Sequence, residues 1–519
     1  MTNPAQAMRM LVTYAICIPL AIFMGFTMTE IGNNPDYSNL FVVAVVVAFL
    51  ASPIVIRWHY PIMVFGLGCP MMCFFIKGKP PLWEVVVLLS LGIAIVERAI
   101  NSERRFISVP VITWPLIYTA AMVLFTAEMT GGIGLHALGG DTGGGQKYLA
   151  LLIGICIYFA LTSRKIPAGK RNLYVMLVFL SGLPVIFGDL FPYLAGPFKY
   201  INLLFPPSGS VMTDEGVTGT TRLGAFGATA GVVANFMLAR YGLRGIFSAL
   251  HPFRFMVFCC LVALTLLGGF RLTAISYMET IFLLFFMEGL HRTRMVLVFA
   301  MGGILIAALL VPFADKLPYS FQRALSFLPI HVEAGAKMDA DGSRAWREKM
   351  WSDVWPKVPQ YLLLGKGYAL HAEDFALMGG GAFEGLGANL DASEQGLAIS
   401  GDYHSGPLST LMPFGIWGAI SYVWVALATL FALYRNYRYS DADIKTVNTY
   451  FLAIGICQIF GFFFLFGSYA YDIGNLAKLA GWSIAFNWGI KKVPAPGPAV
   501  NTAMRRLPSH VGKPRPLTA

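Results

Sequence analysis

Charged residues are scarce in this chain. They make up 13% of its 519 positions, against about 25% in ordinary globular domains. A water-soluble protein of this size needs more polar surface than that, so a soluble enzyme, a disordered chain and a nucleic-acid binder are poor descriptions of it. The chain also has only seven cysteines: Cys17, Cys69, Cys73, Cys156, Cys259, Cys260 and Cys457. All fall in apolar runs, which argues against a disulfide framework. Cys69 and Cys73 stand one helical turn apart and read as small buried hydrophobes rather than metal ligands. No HExxH, GxSxG or paired CxxC occurs, and the glycines at 131–145 lack the Lys-Ser/Thr of a phosphate-cradling loop. No repeat of 20–50 residues is visible.

Apolar residues fill the gap, at 56% of the chain. A bilayer core about 30 Å thick takes about 20 apolar residues per helical crossing. Candidate spans lie near 10–29, 39–56, 61–77, 82–97, 111–127, 147–162, 172–193, 223–240, 254–270, 272–289, 295–312, 406–434, 446–467 and 473–490. The expected fold is an all-α, polytopic transmembrane bundle of 12–14 spans. The first span has no small-residue cleavage site and is followed by many others, so it reads as a membrane helix and not as a leader peptide.

The 38 Lys and Arg residues outnumber the 27 Asp and Glu. Most of them fall in alternate loops, as expected if those loops are cytoplasmic. Arg57, Arg98, Arg105, Arg164, Arg171, Arg244, Arg435 and Lys491 belong to that set, and both termini fall on the same side. The implied division is 1–312, N-terminal spans; 313–405, a long outside loop; 406–490, C-terminal spans; and 491–519, a basic, Pro-rich cytoplasmic tail. Loops beyond about 15 residues are usually functional or disordered. Residues 343–355, SRAWREKMWSDVW, predict a helix with Ser343 as N-cap and Arg344 at its opening. Trp346, Met350, Trp351, Val354 and Trp355 share one face of it, a pattern expected to rest on the outer leaflet. A Gly-rich stretch at 379–387 reads as a lid or spacer.

Four ionisable residues gather at the outside end of this topology. Arg222 and Arg271 sit at span ends, Arg344 in the loop helix, and His404 just before the next span. Ionisable groups at such depths are by default functional hypotheses. Arginine offers phosphate a fixed fork of donors, and histidine exchanges a proton near neutral pH. Together they suggest a diphosphate-bearing lipid attacked by a hydroxyl. Each also has a plainer reading: a helix ion pair of Arg344 with Glu348, snorkelling of Arg222 and Arg271 to headgroups, and a capping role for His404. Glu84, Glu279 and Lys478 lie within spans and are weaker candidates. Asp339–Asp341 and Asp441–Asp443 each read Asp-x-Asp, but the first lies outside and the second opens a span as a cap would, so no metal is expected.

From His404 the chain reads HSGPLSTLMPFGIWG: His-Ser, then Gly415-Ile416-Trp417-Gly418. This resembles the signature of the bacterial O-antigen ligase and O-antigen polymerase superfamily. TTRLGAFGATAG at 220–231, LTLLGGFRLTA at 264–274 and SRAWREKMWSDVWPKVPQYLLLGKG at 343–367 resemble further family segments in the same order. The resemblance covers about 220–435. It implies a membrane glycosyltransferase of the bacterial inner membrane. Such an enzyme takes an oligosaccharide or polysaccharide from an undecaprenyl-diphosphate carrier on the periplasmic face and passes it, with inversion, to a glycan or lipid A–core acceptor. The implied roles are His404 and Arg344 as catalytic residues, and Arg271, Arg222 and Arg344 as diphosphate ligands. No cofactor and no nucleic acid are implied; membrane lipid surrounds the site. Ligase, polymerase and protein glycosylator share the motif, and a flippase for the same lipid-linked glycans is the alternative from another class.

Glycan transfer is expected to survive EDTA; activity lost to the chelator and restored by Mg²⁺ or Mn²⁺ would instead revive the Asp-x-Asp reading.

Overall fold

The computed structural model describes residues 37–492, apart from 77, 102, 104, 132–143, 191–192, 194–195, 207–222 and 369–400. Its helices are α1 Tyr37–Gly66, α2 Leu82–Ile100, α3 Pro110–Thr130, α4 Gly144–Thr162, α5 Arg171–Leu180, α6 Gly224–Ile246 and α7 Pro252–Thr265. They continue as α8 Arg271–Met287, α9 Met295–Phe313, α10 Tyr319–Leu325, α11 Ala334–Val354, α12 Gly406–Tyr439, α13 Lys445–Phe464 and α14 Tyr469–Asn487. Among the described residues there is no strand, only an isolated bridge between Met72 and Pro81. Six helical segments among the described residues are long and apolar enough to cross a membrane: Pro110–Thr130, Gly145–Thr162, Ala168–Gly188, Met295–Lys316, Gly406–Tyr439 and Ala442–Phe464. The fold is therefore an all-α polytopic bundle.

The expected spans map unevenly onto these helices. The stretch 61–77 is not one helix: α1 ends at Gly66, and the chain then turns through Gly68, Pro70 and Gly78. The expected span at 172–193 stops as α5 at Leu180 and continues as a 3-10 segment over Leu183–Gly188, where Gly182 and Pro184 interrupt the α-helical ladder. The first expected span, the glycine runs and the tail beyond 492 lie outside the described residues.

Packing of the bundle relies on small residues where helices meet. A Cβ on Gly154 of α4 would stand 3.2 Å from the Gly474 Cα of α14. That is close backbone approach of the kind membrane helices use to gain contact without a hydrophobic driving force. One end of the bundle is laced by ion pairs. Arg171, 7% exposed, reaches Asp443 at 2.7 Å and Asp441 at 3.2 Å, while Lys491 adds a contact to Asp441 at 3.1 Å. Arg164 meets Glu97 at 2.7 Å. The expected capping role for Asp441 fails, since it makes no side-chain cap bond and its carboxylate turns to Arg171 and Lys491.

The other end depends on a break in α12. Gly415 has φ 59° and ψ −151°, so the helix is interrupted there. In an unbroken helix the Ile416 amide would bond the Met412 carbonyl. Here Ile416 N–H donates to Leu362 O at 2.8 Å, and Met412 O accepts from Lys366 N–H at 2.7 Å. Gly367 N–H adds a bond to Pro413 O at 2.9 Å. A Cβ on Gly365, itself at φ +76°, would fall 2.1 Å from Pro413 O. Only glycine permits both that backbone conformation and that approach.

Gly365→Ala is expected to cost more than about 1 kcal/mol and to lower the thermal midpoint in detergent. Gly92→Ala, a mid-helix site with open space around it, serves as control and should be neutral or slightly stabilising; equal behaviour of the two would refute the docking argument.

Candidate functional site

The end of the bundle opposite the ion-pair lattice holds the expected site residues. Arg271 begins α8 directly after a turn in which Gly269 is left-handed, φ 68°. Its Nη2 donates to Ala340 O of α11 at 2.8 Å. Arg323 of α10 donates to Gly269 O at 3.0 Å and meets Asp339 through Nε at 2.6 Å. Asp339 is thereby engaged by a guanidinium, and no cluster of three or more potential metal ligands exists among the described residues.

Helix α11 starts nine residues before the expected N-cap. Ser343 and Arg344 lie within it, and its entry is held by Gln322 Oε1, which accepts the Glu333 N–H at 2.7 Å. The reason is packing: Ala336 and Ala340 are buried and extend the helix backwards over α10. The apolar face also differs from expectation. Trp346, Met350, Trp351 and Val354 pack against Tyr403, Leu408 and Met412 at the head of α12, so the protein itself covers this face; Trp355 is the exposed member.

Arg344 is exposed and its Nε bonds Glu348 Oε1 at 2.7 Å, which raises its pKa. The helix ion pair weighed from the sequence thus forms. Exposed i,i+4 pairs contribute little in water, so the pair does not withhold Arg344 from an anionic ligand. Arg344 and Arg323 are electrostatic neighbours of Arg271, as are Asp339 and Asp341.

His404 stands two residues before α12 in a left-handed conformation, φ 50°. Its ring sits between Trp346 and Phe466, at centroid distances of 5.6 and 4.7 Å, edge to face with both. Trp351 Nε1 donates to Tyr403 O at 2.8 Å and fixes the backbone just before it. The buried Nδ1 has no hydrogen-bond partner among the described residues. Burial lowers the His404 pKa, and Arg347 pushes the same way, while Asp402 opposes. Burial thus favours the neutral form of the ring, the form that can take a proton.

Arg271 and His404 each meet α11, the helix that carries Arg344: Arg271 at Ala340 and His404 at Trp346. Ala340 and Trp346 are six residues apart, about 9 Å along the axis, and Arg344 and Trp346, two residues apart, point to different sides of the helix. Arg222 lies outside the described residues. Sequence reasoning missed Arg323, which carries no motif and stands in a loop with several other Lys and Arg residues, among them Lys337, Arg344 and Arg347.

Fold and site define a multi-pass helical membrane protein with guanidinium groups and an imidazole on one end. A family model described as O-antigen ligase matches residues 255–423, which include Arg271, Arg323, Arg344 and His404. Over these residues the chain is similar to the O-antigen ligase family, a likeness that suggests a glycan-transferring enzyme. No curated protein and no solved structure matches the chain.

A histidine NMR signal absent from His404→Ala should titrate with a midpoint below the ordinary value of about 6.5. The neutral ring contributes stability above pH 6.5, which is lost as pH falls through the folded midpoint. A midpoint at or above 6.5 would contradict the burial argument.

Proposed function

We propose that this protein transfers or polymerises an undecaprenyl-diphosphate-linked glycan at the periplasmic face of the bacterial inner membrane. In this reading both termini are cytoplasmic, and transfer is inverting and independent of metal. The acceptor is a glycan or lipid A–core sugar. The observation that supports the reading is that Arg271 and His404 both contact α11, the helix that carries Arg344.

His404 holds the acceptor hydroxyl and takes its proton as the oxygen attacks the anomeric carbon from the side opposite the diphosphate. The new carbon–oxygen bond forms while the bond to the phosphate oxygen breaks, and that electron pair leaves with the diphosphate. The leaving group gains negative charge, which Arg344 and Arg271 stabilise, with Arg222 as a further ligand. Arg323 is a positioning residue: its bonds to Gly269 O and Asp339 hold the turn before Arg271 against α11. The neutral state of His404 suits the base, and the Trp346 and Phe466 rings exclude water from one side of it.

His404→Ala is expected to reduce glycan transfer by about 10²–10⁴-fold without lowering the amount of protein in the membrane. Arg344→Lys should also be severely defective, because a point charge does not replace a planar fork. Normal glycan length and yield from His404→Ala would overturn the role of the imidazole. Full activity of Arg344→Lys would leave the Glu348 pair as that arginine's whole purpose. The glycan profile of a deletion strain separates the subclasses. Single-repeat glycan without polymer marks a polymerase, and full-length polymer stranded on the carrier marks a ligase.

A further inference from the structure

A cavity of about 620 Å³ is lined in part by Asp402, two residues before His404. It lies between α2, α4 and α14, and its lining includes Lys147, Lys478, Asp402, Trp83, Tyr471 and Asn475. Its connection to the site is direct. Asp402 lies two residues before His404, whose N–H donates to Asp402 Oδ1 at 3.4 Å. Ser468, also in the lining, lies two residues after Phe466, whose ring touches His404.

The charges in this cavity do not cancel. Among the described residues, Lys147, Lys478 and Asp402 are the charged members of its lining. Lys147 is an electrostatic neighbour of Asp402 and lies 5.5 Å from the Tyr368 ring centroid. Lys478 has no ion pair among the described residues. It stands nine residues into α14, about 13 Å along that helix. An ammonium group at such depth is costly in hydrocarbon and is found facing cavities and ligands. The other lining groups suit a sugar: Trp83 and Tyr471 offer aromatic faces, Asn475 an amide, and Asp402 a carboxylate acceptor for hydroxyls.

We propose that this cavity binds an anionic sugar, bearing a carboxylate or phosphate, in the glycan that supplies the acceptor hydroxyl to His404. The inference rests on the transfer reading above and adds a specificity to it. The subsite would hold an anionic group of the acceptor, separate from the diphosphate assigned to the arginines.

The test is equilibrium binding to the full chain in phosphatidylcholine nanodiscs, with methyl glucuronide, glucose 6-phosphate, methyl glucoside and inorganic phosphate as probes. Both charged sugars are expected to bind about tenfold or more tightly than the glucoside, the effect of one charge-assisted hydrogen bond. Lys478→Met should abolish that preference and Lys478→Arg should keep it, so that loss of charge is told apart from loss of fold. Equal binding of charged and neutral sugars, inorganic phosphate binding as tightly as the charged sugars, or a preference that survives in Lys478→Met would each overturn the proposal. Binding is read without turnover and should persist in His404→Ala. Normal transfer by a chain lacking the sugar preference therefore sinks this subsite alone, whereas a preference intact in a chain that never transfers sinks the transferase reading.

Discussion

The hydrogen bonds that close the break in α12 are the constraint on which the rest of this end depends. Interrupting a helix orphans amides and carbonyls, and in a bilayer water cannot replace the lost partners. The backbone of 362–367 supplies them: Leu362 O takes the Ile416 amide, and the amides of Lys366 and Gly367 go to Met412 and Pro413. This fastens the stretch that follows α11 to the stretch that begins α12. Since α11 carries Arg344, Trp346 and Arg347, and His404 immediately precedes α12, the same bonds set the imidazole against the arginine helix. Gly365 and Gly415 have one physical explanation, that two backbones meet there with no room for a Cβ, whereas a Cβ at Gly367 would meet the Thr130 and Tyr148 side chains.

The two ends of the bundle treat charge differently. At one, Arg164, Arg171 and Lys491 are each matched to a carboxylate, and Glu288 caps the restart of α6 through the amides of Leu243 and Arg244. Such a lattice ties helices together. At the other end the guanidinium of Arg271 bonds a main-chain carbonyl, and Arg344 pairs only at the surface. A guanidinium has five donors in a fixed fork, so these two arginines retain capacity for an anion that Arg171, bound to two aspartates, lacks. Location alone does not separate a structural arginine from a binding one; the partner does.

This bears on what could be read before the fold was known. Helix content and membrane character follow from long apolar runs, whose physics is local. The relation of His404 to Gly415 was legible as spacing within one segment. What stayed hidden was tertiary. Arg323 matters because a seven-residue helix lies against the α8 turn and Asp339, and no periodicity announces that. Ser343 looked like a cap because serine before an apolar stripe usually is one, yet burial of Ala336 and Ala340 drew the helix nine residues further back. The tryptophan stripe was read as facing lipid because amphipathicity shows that a face is covered, not by what. Its cover is the head of α12.

The backbone at His404 joins these observations. A non-glycine residue in the left-handed region costs about 1 kcal/mol or more and persists only where its surroundings over-determine it. Here the surroundings do. Trp351 holds the Tyr403 carbonyl, Ser409 Oγ accepts the Tyr403 amide, and that same hydroxyl donates to Gly467 O. The imidazole is thus turned out of line with α12 and placed between Trp346 of α11 and Phe466. A histidine needed only to cap α12 would gain nothing from that conformation, since the N-cap position belongs to Ser405. The strain makes sense if the ring has to stand where two anionic partners meet, and in that place its neutrality is as necessary as its position. A protonated ring would add another positive charge beside Arg347 and would have no vacancy for the acceptor's proton.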